Sequence, residues 1–202
     1  MSASTCPEET RVTRPPERLF AVATAVIVLS LWLAQPLVGR IGHSLGLSGG
    51  AASLVTTLTL LGYATGLFAL VPLGDRLENR RLILLTLAAD VICLLAAASP
   101  LPAPVFLIAC LLVGLTATSI QMLVPMAAAM TPEAQRGRVI GNIMSGLILG
   151  VMLSRPLASL IAGRFGWRAC YLALAAAVAL LALALARVLP QRYPPQRTPY
   201  RT

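Results

Sequence analysis

The sequence predicts an all-α membrane protein with six transmembrane helices. Three observations support this fold class: 57% of the 202 residues are hydrophobic, only 11% are charged, and the charges fall between long uncharged runs. Soluble domains carry roughly 25% charged residues, so this chain has too little polar surface to cover a globule of its size. Lipid is therefore expected to surround most of the chain.

The first three helices follow from the uncharged runs and from what ends them. A helix needs about 20 predominantly apolar residues to cross the hydrocarbon core. Residues 19–39 and 41–74 each supply such a run, and a third apolar segment ends at the proline-rich stretch 99–104. We expect helices at Leu19–Val38, Ala51–Leu73 and Leu82–Ala98.

The last three helices follow in the same way. The uncharged run 91–132 is long enough for two spans, and the prolines at 100, 102 and 104 turn the chain within it. Leu and Ala dominate every run, which favours helices, and an open sheet would leave backbone groups unpaired in hydrocarbon. We expect the fourth, fifth and sixth helices at Val105–Ala129, Val139–Ala162 and Ala169–Ala186.

The basic residues predict the orientation of the chain. All 16 are arginine. Three lie on one side of the predicted membrane (Arg40, Arg164 and Arg168), Arg155 lies within a span, and twelve lie on the other side: Arg11, Arg14, Arg18, Arg76, Arg80, Arg81, Arg136, Arg138, Arg187, Arg192, Arg197 and Arg201. The positive-inside rule then places both termini in the cytoplasm. No nucleic acid is expected as a partner, because the arginines follow topology and form no basic stripe alternating with aromatic residues.

The predicted organisation is a cytoplasmic tail at 1–18, a membrane domain at 19–186 and a second cytoplasmic tail at 187–202. The four cysteines, Cys6, Cys93, Cys110 and Cys170, show no metal-ligand spacing. They are interpreted as small apolar residues, and no metal or cofactor is expected.

Similar features recur in the two halves of the membrane domain and suggest two inverted three-helix repeats. Gln35 in the first helix corresponds to Gln121 in the fourth, 86 residues later. A pair of glycines four residues apart occurs in both the second and the fifth helix: Gly62 and Gly66, then Gly146 and Gly150. Glycines at this spacing share one helical face, where another backbone can approach closely.

The loop between the second and third helices concentrates charge. Asp75, Arg76, Glu78, Arg80 and Arg81 lie within seven residues of one another. One interpretation is a reversible latch, in which Asp75 accepts backbone N–H groups at a helix start while the arginines bind carbonyls or acids. The alternative is a set of topology arginines solvated at the membrane surface.

Several segments together resemble the major facilitator superfamily, particularly bacterial efflux permeases of the sugar and drug:proton antiporter type. The loop 72–81 (PLGDRLENRR) is similar to the loop that follows the second helix in that family, with Asp75, Arg76, Arg80 and Arg81 at its charged positions. Residues 34–37 (AQPL), 123–125 (LVP), 136–141 (RGRVIG) and 166–171 (GWRACY) are also similar. The chain departs from the family pattern at Val71, where a glycine is usual, and at Val151, where the antiporter pattern has proline.

The resemblance implies which residues line the transport path. It places the first and fourth helices along a central cavity, with Gln35 and Gln121 as candidate substrate ligands; simple hydrogen bonding between helices is the alternative. Asp90 and Arg155 are candidates for the substrate or proton path, because ionisable groups inside spans are commonly functional. Against this, the third helix is usually peripheral in the family, and Arg155 can extend toward the membrane surface. The resemblance also places the second and fifth helices against an opposite half.

The expected function is secondary transport of a small organic solute by alternating access, with sugar or drug efflux and proton coupling as the specific forms. Enzyme function is not expected, because the only histidine, His43, lies outside the predicted spans and Asp90 is the only acid inside one. The alternative is a membrane assembly subunit that does not transport. Family members normally have twelve spans, so the six here are expected to form a half transporter whose partners are the bilayer, the solute, and either a second six-helix half or a second copy of this chain.

Overall fold

The computed structural model describes residues 17–70 and 79–189 and is helical throughout these ranges, with short turns between the helices. In this described part of the chain, six helical segments are long and apolar enough to cross a membrane by length and composition. We number them spans 1 to 6: Glu17–Leu45, Gly49–Ala69, Asn79–Ala98, Ala103–Ala129, Glu133–Phe165 and Trp167–Val188. The predicted fold class, an all-α membrane protein with six transmembrane helices, is confirmed within the described residues.

Spans 1 and 4 are each interrupted. Within residues 17–70 and 79–189, eight α-helices and two 3-10 turns form the six spans. The turns are Gln35–Leu37 and Glu133–Gln135, and the helices are α1 Glu17–Trp32, α2 Val38–Leu45, α3 Gly49–Ala69, α4 Asn79–Ala98, α5 Ala103–Ala117, α6 Ile120–Ala129, α7 Arg136–Phe165 and α8 Trp167–Val188. Span 1 comprises α1 and α2, and span 4 comprises α5 and α6.

The ends of the spans follow from local sequence. Gly46 ends span 1 in a left-handed conformation (φ 65°), which glycine adopts without steric cost. Ser48 then begins span 2 by accepting a hydrogen bond from the backbone N–H of Ala51. Gly166, at φ 83°, makes the turn between spans 5 and 6. Pro102 precedes span 4, as the proline-rich turn predicts.

Several spans extend beyond the predicted bounds. Span 5 is the clearest case: its main helix already begins at Arg136, whereas we expected the helix to begin at Val139. Charged residues end a hydrophobic run, but they do not end a helix whose first turns project beyond the hydrocarbon. The predicted end of the second helix, Leu73, lies outside the described residues.

The spans associate in pairs. Span 2 packs along span 4, span 1 along span 5, and span 3 along span 6, while span 3 also contacts span 4. A single hydrophobic core runs through all six spans and includes Phe20, Ile83, Phe106, Ile143 and Leu185.

Glycines set the closest of these contacts. Gly62 lies against the backbone of Leu111, and Gly114 on span 4 lies against the backbone of Thr59 on span 2. Gly66 meets the backbone of Leu115 and the side chain of Thr118. At none of these positions is there room for a Cβ atom.

The glycines of span 5 make an equivalent contact with span 1. Gly146 lies against Ala21, and Gly150 lies against Ala25. The resemblance placed spans 2 and 5 against an opposite half, but these glycine faces are already occupied inside the six-helix unit. The physical reason is that only glycine allows the two backbones of each pair to come so close.

Candidate functional site

The interruptions of spans 1 and 4 position the two candidate glutamines. Span 1 leaves the α-helical form at Leu33 and Ala34, directly before the turn that contains Gln35. Span 4 does so at Thr118 and Ser119, directly before the helix that contains Gln121. Discontinuous helices commonly form the substrate and ion sites of secondary transporters.

Proline contributes to both interruptions. Pro36 lies in the turn of span 1, and Pro125 lies inside the second helix of span 4. Because proline has no N–H, Pro125 cannot donate the usual helical hydrogen bond to the carbonyl of Gln121. Gln121 therefore combines a side-chain amide with a backbone carbonyl that lacks its usual helical donor.

Gln121 is paired with a residue of span 2. Its Nε2 donates a hydrogen bond of 2.9 Å to the hydroxyl oxygen of Tyr63, and this pair lies on an exposed face of the unit. Gln35 is half-buried, and its side chain has no hydrogen-bond partner among the residues described. The structure thus brings Gln121 and Tyr63 together and leaves the amide of Gln35 available.

Asp90 occupies a different position, in the interior of the unit. Its side chain is 0% exposed. Ser30 of span 1 donates a hydrogen bond of 3.1 Å to Oδ2, and Thr116 of span 4 donates one of 2.8 Å to Oδ1. Asp90 therefore connects spans 1, 3 and 4 within the six-helix unit.

Arg155 is not a partner of Asp90. The two carboxylate oxygens of Asp90 are bound by hydroxyls, and Arg155 is exposed on span 5 without an ion pair among the described residues. The residue before it, Ser154, is buried, and the residue after it, Pro156, lies inside the helix. The intramembrane charges thus occupy two separate sites.

Two charged residues of the charged loop, Arg80 and Arg81, lie within the described residues. The guanidinium of Arg80 donates a hydrogen bond of 2.7 Å to the backbone carbonyl of Ala186, near the end of span 6. Carbonyls at a helix end lack intrahelical donors and carry partial negative charge, so a cation is favoured there. Arg81 is exposed. Asp75 and Arg76 lie outside the described residues.

The sequence reading missed Tyr63, Ser30 and Thr116. Hydroxyl residues are common in apolar helices, and nothing in their local sequence marks these three. One signal was available: Ser30 and Thr116 are 86 residues apart, the same separation as Gln35 and Gln121. Two further hydroxyls at the interruption of span 4, those of Thr118 and Ser119, are buried without a hydrogen-bond partner.

Nothing in the described part of the chain groups three or more His, Cys, Asp or Glu residues as metal ligands. Cys110 and Cys170 are buried free thiols, and Cys93 is half-buried.

Known proteins match most of the chain. The family model described as Major Facilitator Superfamily matches residues 20–202. An uncharacterised transporter of Escherichia coli K12, YgaY, is 44% identical over 130 residues, which are 64% of this chain and 33% of that protein. A protein named as a transporter in Streptomyces coelicolor is 40% identical over 65 residues, 32% of this chain and 15% of that protein.

A solved structure shows the same fold. The human organic anion transporter MFSD10 (TETRAN) superimposes with a TM-score of 0.65 at 18% sequence identity, over 88% of this chain and 48% of that chain. This chain thus matches about half of the solved transporter and about one third of the Escherichia coli relative.

Proposed function

The chain belongs to the major facilitator superfamily, and from this we propose that it forms one six-helix half of a secondary transporter that exports a small organic solute by alternating access. The relatives named as transporters support transport as the function. In this mechanism one bundle of helices rocks against another around a binding site near the middle of the membrane.

One observation carries the proposal for a binding site: the Gln121–Tyr63 pair next to the interruption of span 4. A primary amide supplies two donors and a carbonyl acceptor, and a phenol supplies one donor and one acceptor. Uncharged groups of this kind bind hydroxyl or carbonyl groups of a sugar or drug without the large cost of burying a charge. Gln35, at the interruption of span 1, would add a second amide.

Arg155 favours a second candidate, an anionic solute. An exposed guanidinium inside a span is costly against lipid, which favours a position facing a cavity or another protein. The structural neighbour is named as an organic anion transporter, although at 18% identity that likeness shows the fold alone. Anionic solutes therefore belong in any transport test of this chain.

A second six-helix unit completes the site in this proposal. The Gln121–Tyr63 pair lies on an outer face of the unit, so these residues supply only one wall of a cavity. A second copy of the chain or a separate six-helix half would supply the other wall, in a bacterial inner membrane with both termini in the cytoplasm. The excess of arginine on one side supports that orientation.

Transport by reconstituted protein tests the function. The purified chain is placed in liposomes over a series of protein densities, from less than one copy per liposome upward, and uptake of sugars, drugs and organic anions is measured under an imposed proton or sodium gradient. We expect saturable uptake only at densities where liposomes hold two or more copies. Uptake in proportion to density, down to single copies, would show that one unit suffices and contradict the need for a second.

Matched glutamine variants identify the site. Gln121→Ala removes the amide beside Tyr63, and Gln135→Ala removes an amide in an exposed turn outside the proposed site. We expect the first to reduce uptake about tenfold or more at unchanged membrane abundance, because the solute loses a hydrogen bond in a desolvated site, and the second to leave it unchanged. Equal uptake by both variants would remove Gln121 from the site. No uptake at any density, also by two copies joined in tandem, would rule out the second copy as the other wall and leave a separate six-helix half or an assembly subunit.

A further inference from the structure

The carboxyl group of Asp90 lies at the meeting point of three spans. Asp90 is near the middle of the 20-residue helix of span 3. Ser30 approaches it from span 1 and Thr116 from span 4, and both hydroxyls belong to buried residues. Ser30 and Thr116 are 86 residues apart, as are Gln35 and Gln121. Ser30 and Thr116 therefore occupy corresponding positions of the proposed repeats, and both bind the same carboxyl group.

The hydroxyl of Thr116 can donate its hydrogen either to Asp90 or to a backbone carbonyl. Its Oγ1 lies 2.8 Å from Oδ1 of Asp90, 3.1 Å from the carbonyl oxygen of Leu112 and 3.0 Å from that of Val113. A hydroxyl carries one hydrogen, so Thr116 can donate to only one of these three acceptors at a time. The choice among them depends on whether Asp90 carries a proton.

Each charge state of Asp90 has its own complete set of hydrogen bonds. When Asp90 is ionised, Ser30 and Thr116 both donate to it. When a proton from the aqueous phase binds Oδ1, Asp90 donates that proton to Oγ1 of Thr116, and the hydrogen of Thr116 turns to the carbonyl of Leu112 or Val113. No buried oxygen of this group is left unsatisfied in either state, which avoids the cost of an unpaired polar group.

We propose that Asp90, Ser30 and Thr116 form a proton-binding site whose occupancy changes the hydrogen bonds between spans 1, 3 and 4. The role of this site in transport rests on the proposed function. To that function the inference adds the coupling ion, a proton, and the residue that binds it, Asp90. Because Asp90 is 0% exposed in this conformation, the proton exchanges with water only after spans 1, 3 and 4 move apart. Proton binding and release are thereby linked to conformation.

Few other titratable groups among the residues that the structure describes influence this site. Cys93, one turn further along span 3, interacts electrostatically with Asp90. On the spans packed against span 3, Cys110 of span 4 interacts electrostatically with Tyr171 of span 6, and Tyr171 interacts electrostatically with Cys170. The charged residues of span 1 lie at its two ends, Glu17 and Arg18 before Ser30 and Arg40 after it, about 15 Å or more away along the helix at 1.5 Å per residue.

The chain is well suited to a direct measurement, because Asp75 and Asp90 are its only aspartates. The full chain is labelled with ¹³C at the aspartate side-chain carbonyl and placed in lipid nanodiscs. Carbon NMR or infrared spectra recorded from acid to alkaline conditions then report both carboxyl groups. Asp75→Asn leaves the signal of Asp90 alone, and Asp90→Asn leaves that of Asp75, which assigns the two signals.

We expect the Asp90 signal to convert between carboxylic acid and carboxylate within the pH range over which the chain stays folded. Thr116→Val removes a hydroxyl that donates to the ionised form, and hydrogen bonds to a charged group are stronger than those to a neutral one. That variant should bind the proton about tenfold more tightly, and Thr116→Ser should restore the original affinity. A merely structural role for Asp90 would not produce this rescue.

Three outcomes would overturn the proposal. One is an Asp90 signal that stays in a single charge state throughout. Another is a conversion that follows sodium at constant pH, which would make this a metal-ion site. The third is a titration unchanged by Thr116→Val in a folded variant. None of these measurements involves transport, so the proton site and the transport function succeed or fail separately.

Discussion

At the scale of single residues, glycine determines how closely the helices approach. Gly146 and Gly150 contact the backbone of span 1, whereas Gly141, on the same helix, has no atom of another span within 4 Å of where a Cβ would lie. The three residues have the same chemistry and differ only in their surroundings. The spacing in the sequence predicted a shared face for Gly146 and Gly150, but it could not identify the partner, because that depends on how the chain folds back on itself.

Gly146→Ala and Gly141→Ala form a matched test of this packing. An added Cβ at Gly146 would lie 2.9 Å from the carbonyl carbon of Ala21 and 3.0 Å from its Cα, so spans 1 and 5 must separate. We expect a loss of about 1–3 kcal/mol in the free energy of unfolding. Gly141→Ala should be neutral or stabilising by up to about 1 kcal/mol, because alanine favours a helix over glycine. Detergent-induced unfolding followed by circular dichroism measures both, and equal stability of the two variants would contradict the close contact.

At the scale of elements, the uncharged runs predicted where the spans lie, because the hydrophobic thickness of a bilayer requires them. The interruptions of spans 1 and 4 were not predicted, although Pro36 and Pro125 were visible in the sequence. A proline shows that a hydrogen bond is missing but not how far the helix is disturbed. The partners of Asp90 were not predicted either, since they come from helices distant in sequence.

The contact between spans 3 and 6 at Arg80 provides the test at this scale. Arg80→Ala removes the cation and the hydrogen bond to the carbonyl of Ala186, which should destabilise the fold by about 1 kcal/mol. Arg81→Ala, next in sequence and exposed, is the control and should have little effect. Thermal unfolding of the two purified variants in the same detergent compares them. Equal stability of Arg80→Ala and Arg81→Ala would mean that the contact of Arg80 contributes no stability.

At the scale of the whole molecule, two glycine contacts correspond in the way that the suggested repeat requires, and the inverted repeat itself stays a prediction. Span 2 meets span 4 through Gly62 and Gly66, and span 5 meets span 1 through Gly146 and Gly150. When spans 1, 2 and 3 are matched with spans 4, 5 and 6, the contact between spans 2 and 4 corresponds to the contact between spans 5 and 1. Such a repeat places spans 1 and 4, which carry the interruptions and both glutamines, in equivalent positions. The inverted relation of the repeats depends on the membrane orientation, which is therefore the property to measure.

The orientation is predicted from the arginines alone, and single cysteines test it. In a chain whose four native cysteines are replaced, Ser99→Cys marks the turn between spans 3 and 4, and Gln135→Cys marks the start of span 5; both positions are exposed. The apolar core of span 4 separates them, so a reagent that cannot cross lipid reaches only one from each side.

With twelve arginines on the side of Gln135 and three on the side of Ser99, the positive-inside rule places Gln135 in the cytoplasm. A membrane-impermeant maleimide added to intact cells should then label Ser99→Cys and spare Gln135→Cys, and opening the inner membrane should expose both. Labelling of Gln135→Cys alone in intact cells would reverse the orientation and place the charged loop 75–81, which lies on the same side, in the periplasm.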